Sequence, residues 1–320
     1  AVIVLFFSAY PLFADKLPGP ISAFASPFEY VAAYHAMSLE SMMGIPLRAF
    51  ANLVFGFILF GVALEHTGAG RFFINLAFAL LGHVRGGPAK VAIMSSGLMG
   101  SLSGSVVTNV LTTGVMTIPA MKRSGMKGVT AAAIETCAST GGVLMPPVMG
   151  AAAFVMAEIL GVPYLTIIVA AILPAVLFYL SVFMTVHFVA LRRGLATVPE
   201  EEMPAWASIL APRRVLPILC AIGGLGVGVW MGRSISTSAF YGIVGLLIAF
   251  VATETGRLSL REMAAKLLNG LEDAGKGLVI IGVLLAGAQV LVSMINLTGI
   301  GVTLSSLIVN LAGDSVVLVA

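Results

Sequence analysis

The feature that most constrains this chain is the length of its uncharged runs. Val91–Met121, Ile159–Leu191 and Gly277–Gly313 each pass without a Lys, Arg, Asp or Glu, and each exceeds the roughly 18 apolar residues that mark a membrane-crossing helix. Val215–Gly232 and Ser234–Thr253 reach the same length. No water solvates the backbone at that depth, so its N–H and C=O groups must bond within the segment, and the helix is the element that does this. Composition agrees: 59% of residues are hydrophobic and 10% charged, against about 25% charged in soluble domains. The chain reads as an all-α polytopic membrane protein embedded in a lipid bilayer. The net charge of +3 comes from loop Lys and Arg. No basic patch interleaves with aromatics, so nucleic acid is not an expected partner. Cys137 and Cys220 lie in apolar segments, which argues against disulfide or metal roles. The chain opens with Ala1 inside an apolar run, so a natural N-terminus is expected upstream.

Punctuation along the chain predicts its organisation. Residues 1–84 hold a partial span, a short helix over about 28–43 opened by a capping box at Ser26-Pro27-Phe28-Glu29, and spans near 49–65 and 71–84. Residues 85–163 hold the most irregular apolar sequence, 164–191 a span, and 192–214 a polar stretch with arginines at both ends, which the positive-inside rule places in the cytoplasm. Residues 215–257 hold two further spans, with Gly224, Gly228 and Gly232 as close-packing steps. Residues 258–320 open with a second capping box, Ser259-Leu260-Arg261-Glu262, on an amphipathic helix expected to end near Gly275 before an apolar span. Thr67-Gly68-x-Gly70 recurs as Thr298-Gly299-x-Gly301, and the same offset lays Leu76 on Leu307, Leu80 on Leu311 and Gly82 on Gly313. This reads as an internal repeat, the signature of secondary transporters with a site between two halves, with the second unit cut short at residue 320.

Two segments break the helical pattern at membrane depth. Val91–Met121 carries a Ser/Gly-rich centre, Ser95 to Ser105, and is flanked at both ends by basic residues (Arg85 and Lys90, Lys122 and Arg123). It is too long for one straight span and too short for two, which predicts a re-entrant helical hairpin with its tip near Ser103–Ser105. From Ala131 a helix-forming run meets Ser139-Thr140-Gly141-Gly142-Val143-Leu144-Met145-Pro146-Pro147 and resumes near Gly150. Paired glycines and prolines there predict a discontinuous helix, because Pro lacks a donor and disfavours helix in the residue before it. Freed carbonyls can coordinate a cation, and helix-start amides can hold a carboxylate. The expected cation-binding residues are Ser103, Gly104, Ser105, Thr140, Gly141 and Met145. The expected substrate-binding residues are Ser105, Thr108, Asn109 and Thr112. No Lys or Arg falls in Val91–Met121 or Thr136–Leu191, so a bound organic anion must rely on neutral donors and a co-bound ion. Oxygen ligands suit Na+, with H+ as an alternative, and no His/Cys cluster fits a transition metal. Glu135 has two readings: a functional intramembrane carboxyl that couples a proton or cation, or a side chain snorkelling to the surface near Lys127.

Gly104-Ser105, Thr117-Ile118-Pro119 and Ser139-Thr140-Gly141-Gly142-x-x-Met145-Pro146-Pro147-Val148-Met149-Gly150-Ala151-Ala152-Ala153-Phe154 resemble the large permease subunit of TRAP transporters. The continuation Met156-Ala157-Glu158 is similar to the fused-permease branch that works with TAXI-type binding proteins. The resemblance implies an elevator-type secondary transporter with structural repeats in a bacterial or archaeal cytoplasmic (inner) membrane. It implies a periplasmic TAXI-type substrate-binding protein as partner, a small organic anion or carboxylate as cargo, an ion gradient (usually Na+) as drive, and no cofactor. Relatives often carry Gln where this chain has Val143. An elevator-type carboxylate transporter without a binding protein is the alternative. A serine protease within the membrane is the distant one: Ser101-Leu102-Ser103-Gly104 approaches the rhomboid Gly-x-Ser-Gly, but Ser101 replaces its first glycine and no matching His motif follows.

Overall fold

The computed structural model describes residues 2–199, 201, 203–255 and 259–312. It is helical nearly throughout. In chain order come α1 (Val2–Ala9), α2 (Phe28–Met37), α3 (Ile45–Ala49), α4 (Phe55–His66) and α5 (Ala69–Leu81). Next are α6 (Gly87–Ser103), α7 (Val106–Arg123), α8 (Gly128–Gly141), α9 (Ala151–Leu160) and α10 (Tyr164–Arg193). The last are α11 (Trp206–Ile209), α12 (Pro212–Trp230), α13 (Ile235–Glu254), α14 (Leu260–Thr298) and α15 (Ile300–Ala312). Among the described residues, 5 helical stretches are long and apolar enough to cross a membrane: Ile45–His66, Tyr164–Arg193, Pro212–Trp230, Ile235–Glu254 and Arg261–Thr298.

The chain forms two compact units, Ala1–Ala51 with Val279–Ala320, and Asn52–Leu278. Within the first, the Tyr10 hydroxyl donates to Ile21 O at 2.6 Å, and Gln289 Nε2 donates to Glu40 O at 2.6 Å. The capping box at Ser26 does not form. Pro27 takes the N-cap position with extended backbone and no side chain caps α2, while the Ser26 amide donates to Pro11 O at 2.8 Å. The helix also stops at Met37, short of 43. Ser38 ends it by accepting the Glu40 amide on its hydroxyl at 3.0 Å, a local bond that competes with helical pairing.

The second capping box does form: Ser259 N donates to Glu262 Oε2 at 2.7 Å and Glu262 N to Ser259 Oγ at 3.2 Å. Its helix runs unbroken through Gly275 and Gly277 to Thr298. A helical glycine costs about 1 kcal/mol relative to Ala but does not block the bonding ladder as Pro does, and no proline interrupts this run. The repeated Thr-Gly turns have the same local geometry. Thr67 Oγ1 donates to Ala63 O at 3.0 Å and Thr298 Oγ1 to Met294 O at 2.7 Å, and Gly68 and Gly299 follow at φ 101° and 71°. The Gly313 correspondence and the remainder of 313–320 lie outside the described residues.

In the larger unit α6, α7 and α8 pack mutually, with α5 and α10 against α6. Small residues set these approaches: Ala89, Ala92, Ala131, Ala138 and Ala190 are buried together with Ile93 and Met121. Where lipid replaces water, helices associate through such close packing. Gly224 and Gly228 seat α12 on α13, against Tyr241 and Ser238, whereas Gly232 lies past the helix end at φ 68° and packs on nothing. The stretch 192–214 is more than a solvated loop. Leu195, Val198 and Ile209 are buried, and Val198 N donates to Gly82 O at 3.0 Å.

Helix breaks fall at Gly104-Ser105 and at 142–150. Gly104 ends α6 in the left-handed region (φ 58°) and Ser105 caps α7, accepting the Thr108 amide. Beyond α8, a 3-10 turn (Gly142–Leu144) leads into an irregular loop whose Met149 holds φ 56°. The two breaks meet. Val148 N donates to Ser101 O at 3.1 Å, a Cβ at Gly104 would collide with the Met149 carbonyl, and a Cβ at Gly142 would lie 2.7 Å from Gly100 Cα. We therefore expect Gly142→Ala to lower stability by about 1–3 kcal/mol through overpacking. Gly226→Ala, in α12 with open space around it, should be neutral or stabilising by up to about 1 kcal/mol. Thermal unfolding of the two purified variants checks the contrast, and equal melting temperatures would contradict the close approach.

Candidate functional site

The site is built where the breaks meet, and several of its irregular backbone groups are held by neighbours. Gly150 N donates to Val143 O at 2.9 Å. The Tyr164 hydroxyl reaches Val148 O at 2.7 Å, and its ring stacks on Phe154 with centroids 4.4 Å apart. The loop is thus pinned from α6, α9 and α10.

Asn109, in the first turns of α7, is 0% exposed. Its Nδ2 donates to Ser96 O at 2.8 Å and lies 3.1 Å from where a Cβ would sit on either Gly100 or Gly142. That bond orients the amide, since a flip would set two carbonyl oxygens against each other. Its Oδ1 is left buried with no partner among the described residues. A buried acceptor in that state calls for a water or an ion. The unused group is an acceptor oxygen, which can take a hydrogen-bond donor or a cation. Among the expected substrate-binding residues, Asn109 thus carries a buried acceptor oxygen without a partner.

The other expected residues divide. Ser103, Gly104 and Ser105 lie at the junction, half-buried, with Gly104 directly against Met149 and Gly150. Thr108 is half-buried one helical turn from Ser105. Thr140 is exposed and its hydroxyl bonds back to Thr136 O at 2.8 Å. Gly141 is buried against the Phe178 and Tyr179 rings of α10, and Gly142, the next residue, makes the approach to α6. Met145 lines an apolar cavity of about 450 Å³ with Leu98 and Tyr179. Thr112 Oγ1 donates to Glu65 Oε1 at 2.9 Å, so its hydroxyl is already committed to a carboxylate, an arrangement that disfavours a second anion there.

Glu135 is 0% exposed, which removes the snorkelling reading. Ser96 Oγ donates to Oε1 at 2.9 Å, Ser139 Oγ to the same oxygen at 3.3 Å, Thr113 to Oε1 and Thr117 to Oε2. Four hydroxyls from α6, α7 and α8 thus surround one carboxyl, and Gly114 leaves room for its chain. This cage and the Glu65–Thr112 bond were not read from sequence. The i, i+4 spacings of Thr113 with Thr117 and of Glu135 with Ser139 were visible, but such hydroxyls on a helix commonly bond their own backbone.

Apolar helices long enough to cross a membrane, two helix breaks set against each other and an enclosed polar cluster are the features of a polytopic helical membrane protein. Across residues 1–320 the chain matches the model of the tripartite ATP-independent periplasmic transporter DctM component, and it belongs to that family of TRAP transporter permeases. It is 28% identical over 256 residues to the C4-dicarboxylate TRAP transporter large permease protein DctM of Pseudomonas aeruginosa, covering 80% of this chain and 58% of that protein. It is 27% identical over 277 residues to a putative TRAP transporter large permease protein of Haemophilus influenzae (83% and 57%). It is 26% identical over 258 residues to the 2,3-diketo-L-gulonate TRAP transporter large permease protein YiaN of Escherichia coli (79% and 57%). The chain spans a little under three fifths of these relatives. The family is one of transporters, not enzymes.

A double-mutant cycle with Thr112→Val and Glu65→Gln should give a coupling energy of about 0.5–3 kcal/mol in thermal unfolding, as expected for residues in contact. Strictly additive effects would show that α4 and α7 are not joined there.

Proposed function

We propose that this chain is the core of the permease subunit of a Na+-coupled importer of small carboxylates. The observation that carries the reading is the orphaned Asn109 Oδ1 at the meeting of two helix breaks with no Lys or Arg in either segment. A hard monovalent cation seated there would use oxygen ligands: Oδ1, hydroxyls of Ser103 and Ser105, and carbonyls freed by the breaks. Its charge would balance a substrate carboxylate that otherwise meets only helix-start amides and hydroxyls, among them Ser105 and Thr108. Each helix start contributes about 0.3–2 kcal/mol to anion binding, so cargo would be held weakly and anion affinity would follow the cation.

Weak capture suits delivery by a periplasmic binding protein, which the family's name and the relatives' carboxylate cargo (C4-dicarboxylate and 2,3-diketo-L-gulonate) support. The motif resemblance favours a TAXI-type partner and a fused permease. Residues 85–163 would form the moving part of an elevator, the hairpin being re-entrant with both ends at the cytoplasmic face of the inner membrane.

The test is uptake into proteoliposomes by the complete permease with its binding protein, under imposed Na+ gradients. Uptake should require Na+, and Asn109→Ala should raise the half-saturating Na+ concentration about tenfold or more, equal to at least about 1.4 kcal/mol, while membrane insertion stays normal. Wild-type Na+ dependence in that variant would move the cation elsewhere.

A further inference from the structure

Glu135 is a carboxyl with no exposed surface. It is buried in the larger unit near the helix breaks, and among the described residues each hydrogen-bond partner of its carboxyl is a hydroxyl. The charged side chains on the enclosing helices sit at their ends: Lys90 on α6, Lys122 and Arg123 on α7, and Lys127 at the start of α8. Lys90 Nζ lies over the Phe183 ring, 5.5 Å from its centroid. From α10, the titratable Tyr179 turns its hydroxyl to Ala138 O at 2.9 Å, and His187, Arg192 and Arg193 lie towards that helix's end. Among the described residues, no cation is seated on the Glu135 carboxyl.

The cage can hold the carboxyl in either protonation state. Each hydroxyl has one proton to give and lone pairs to accept with. With the carboxyl ionised, Ser96, Thr113, Thr117 and Ser139 can all donate inward. With it protonated, it donates to Thr113 or Thr117, and that threonine turns its own proton onto a backbone carbonyl already in reach. For Thr113 this is Asn109 O at 2.8 Å, and for Thr117 it is Thr113 O at 3.0 Å. Neither state leaves the carboxyl or one of its four hydroxyls unbonded, whereas a fixed ion pair or a backbone-donor nest favours the ionised form. One of these switching bonds ends on Asn109, whose side chain carries the orphaned acceptor.

We propose that Glu135 is a proton-binding site linked to cation occupancy at Asn109. When the cation enters, the carboxyl O–H bond breaks, the proton passes to water on the side the site then faces, and the resulting carboxylate charge stabilises the cation. When the proton returns, the cation is released. Linkage makes the effect mutual. The inference rests on the cation reading above, and the two fail separately.

The experiment measures Na+-driven uptake by the complete permease with its binding protein at a series of pH values, for the unmutated protein and Glu135→Gln. Gln keeps the shape and an acceptor oxygen but holds no exchangeable charge. For the unmutated protein, the half-saturating Na+ concentration should rise as pH falls, by at most about tenfold per pH unit. In Glu135→Gln it should be flat with pH. A folded Gln variant that keeps the unmutated pH profile, or an unmutated protein that needs Na+ but ignores pH, overturns the proton site. Uptake that ignores Na+ yet loses its pH dependence in Glu135→Gln overturns the sodium reading and supports the proton site. If the variant does not reach the membrane, Na+ is added to the purified unmutated permease in weak buffer with a pH indicator. Proton release supports the proposal, and its absence overturns it.

Discussion

Backbone at apolar depth has no water to fall back on, and everything irregular in this protein follows from that. A helix stopped at Gly104 and another stopped at Gly141 expose amides and carbonyls that would each cost several kcal/mol if left alone. The protein sets the two breaks against each other. Val148 donates to Ser101, Gly150 donates to Val143, and Tyr164 reaches in from α10 to bond the Val148 carbonyl. Disrupting one break would therefore expose the other.

That mutual dependence explains the glycines at the junction. Gly104 is needed for its left-handed backbone and for its contact with Met149, while Gly100 and Gly142 let two backbones touch with no side chain between them. The approach presses Asn109 into a space where its donor finds Ser96 O and its acceptor finds nothing. Two carboxyls lie on the same helical framework. Glu65 meets α7 through Thr112 from the partly exposed end of α4, and Glu135 sits fully enclosed. Both are met by hydroxyls, so in the hydrogen bonds that hold this polar interior side-chain oxygen takes the place that Lys and Arg hold elsewhere.

Much of this was legible. Uncharged run length marked the spans, the Ser/Gly-rich centre marked the first break, and Gly141-Gly142 with Pro146-Pro147 marked the second, because each acts through local backbone preference. Local signals also misled. Ser26 reads as a cap but its amide is drawn to Pro11, and Gly275 reads as a stop but α14 passes through it. Thr140 and Gly141 read as site residues, yet helical rotation turns them outward and onto α10, leaving Gly142 to face α6.

The sequence by itself determined that the chain is helical and membrane-embedded and where its helices must break, since uncharged length, proline and glycine act within a few residues of themselves. Tertiary structure alone decided which groups those breaks bring together. The burial of Glu135 by hydroxyls from three helices, and the stranded oxygen of Asn109, depend on helix rotation and packing over tens of residues. No local pattern encodes those quantities. The same carboxyl could have snorkelled to the surface with an identical sequence around it, and only the closing of α6 and α7 over α8 kept it inside.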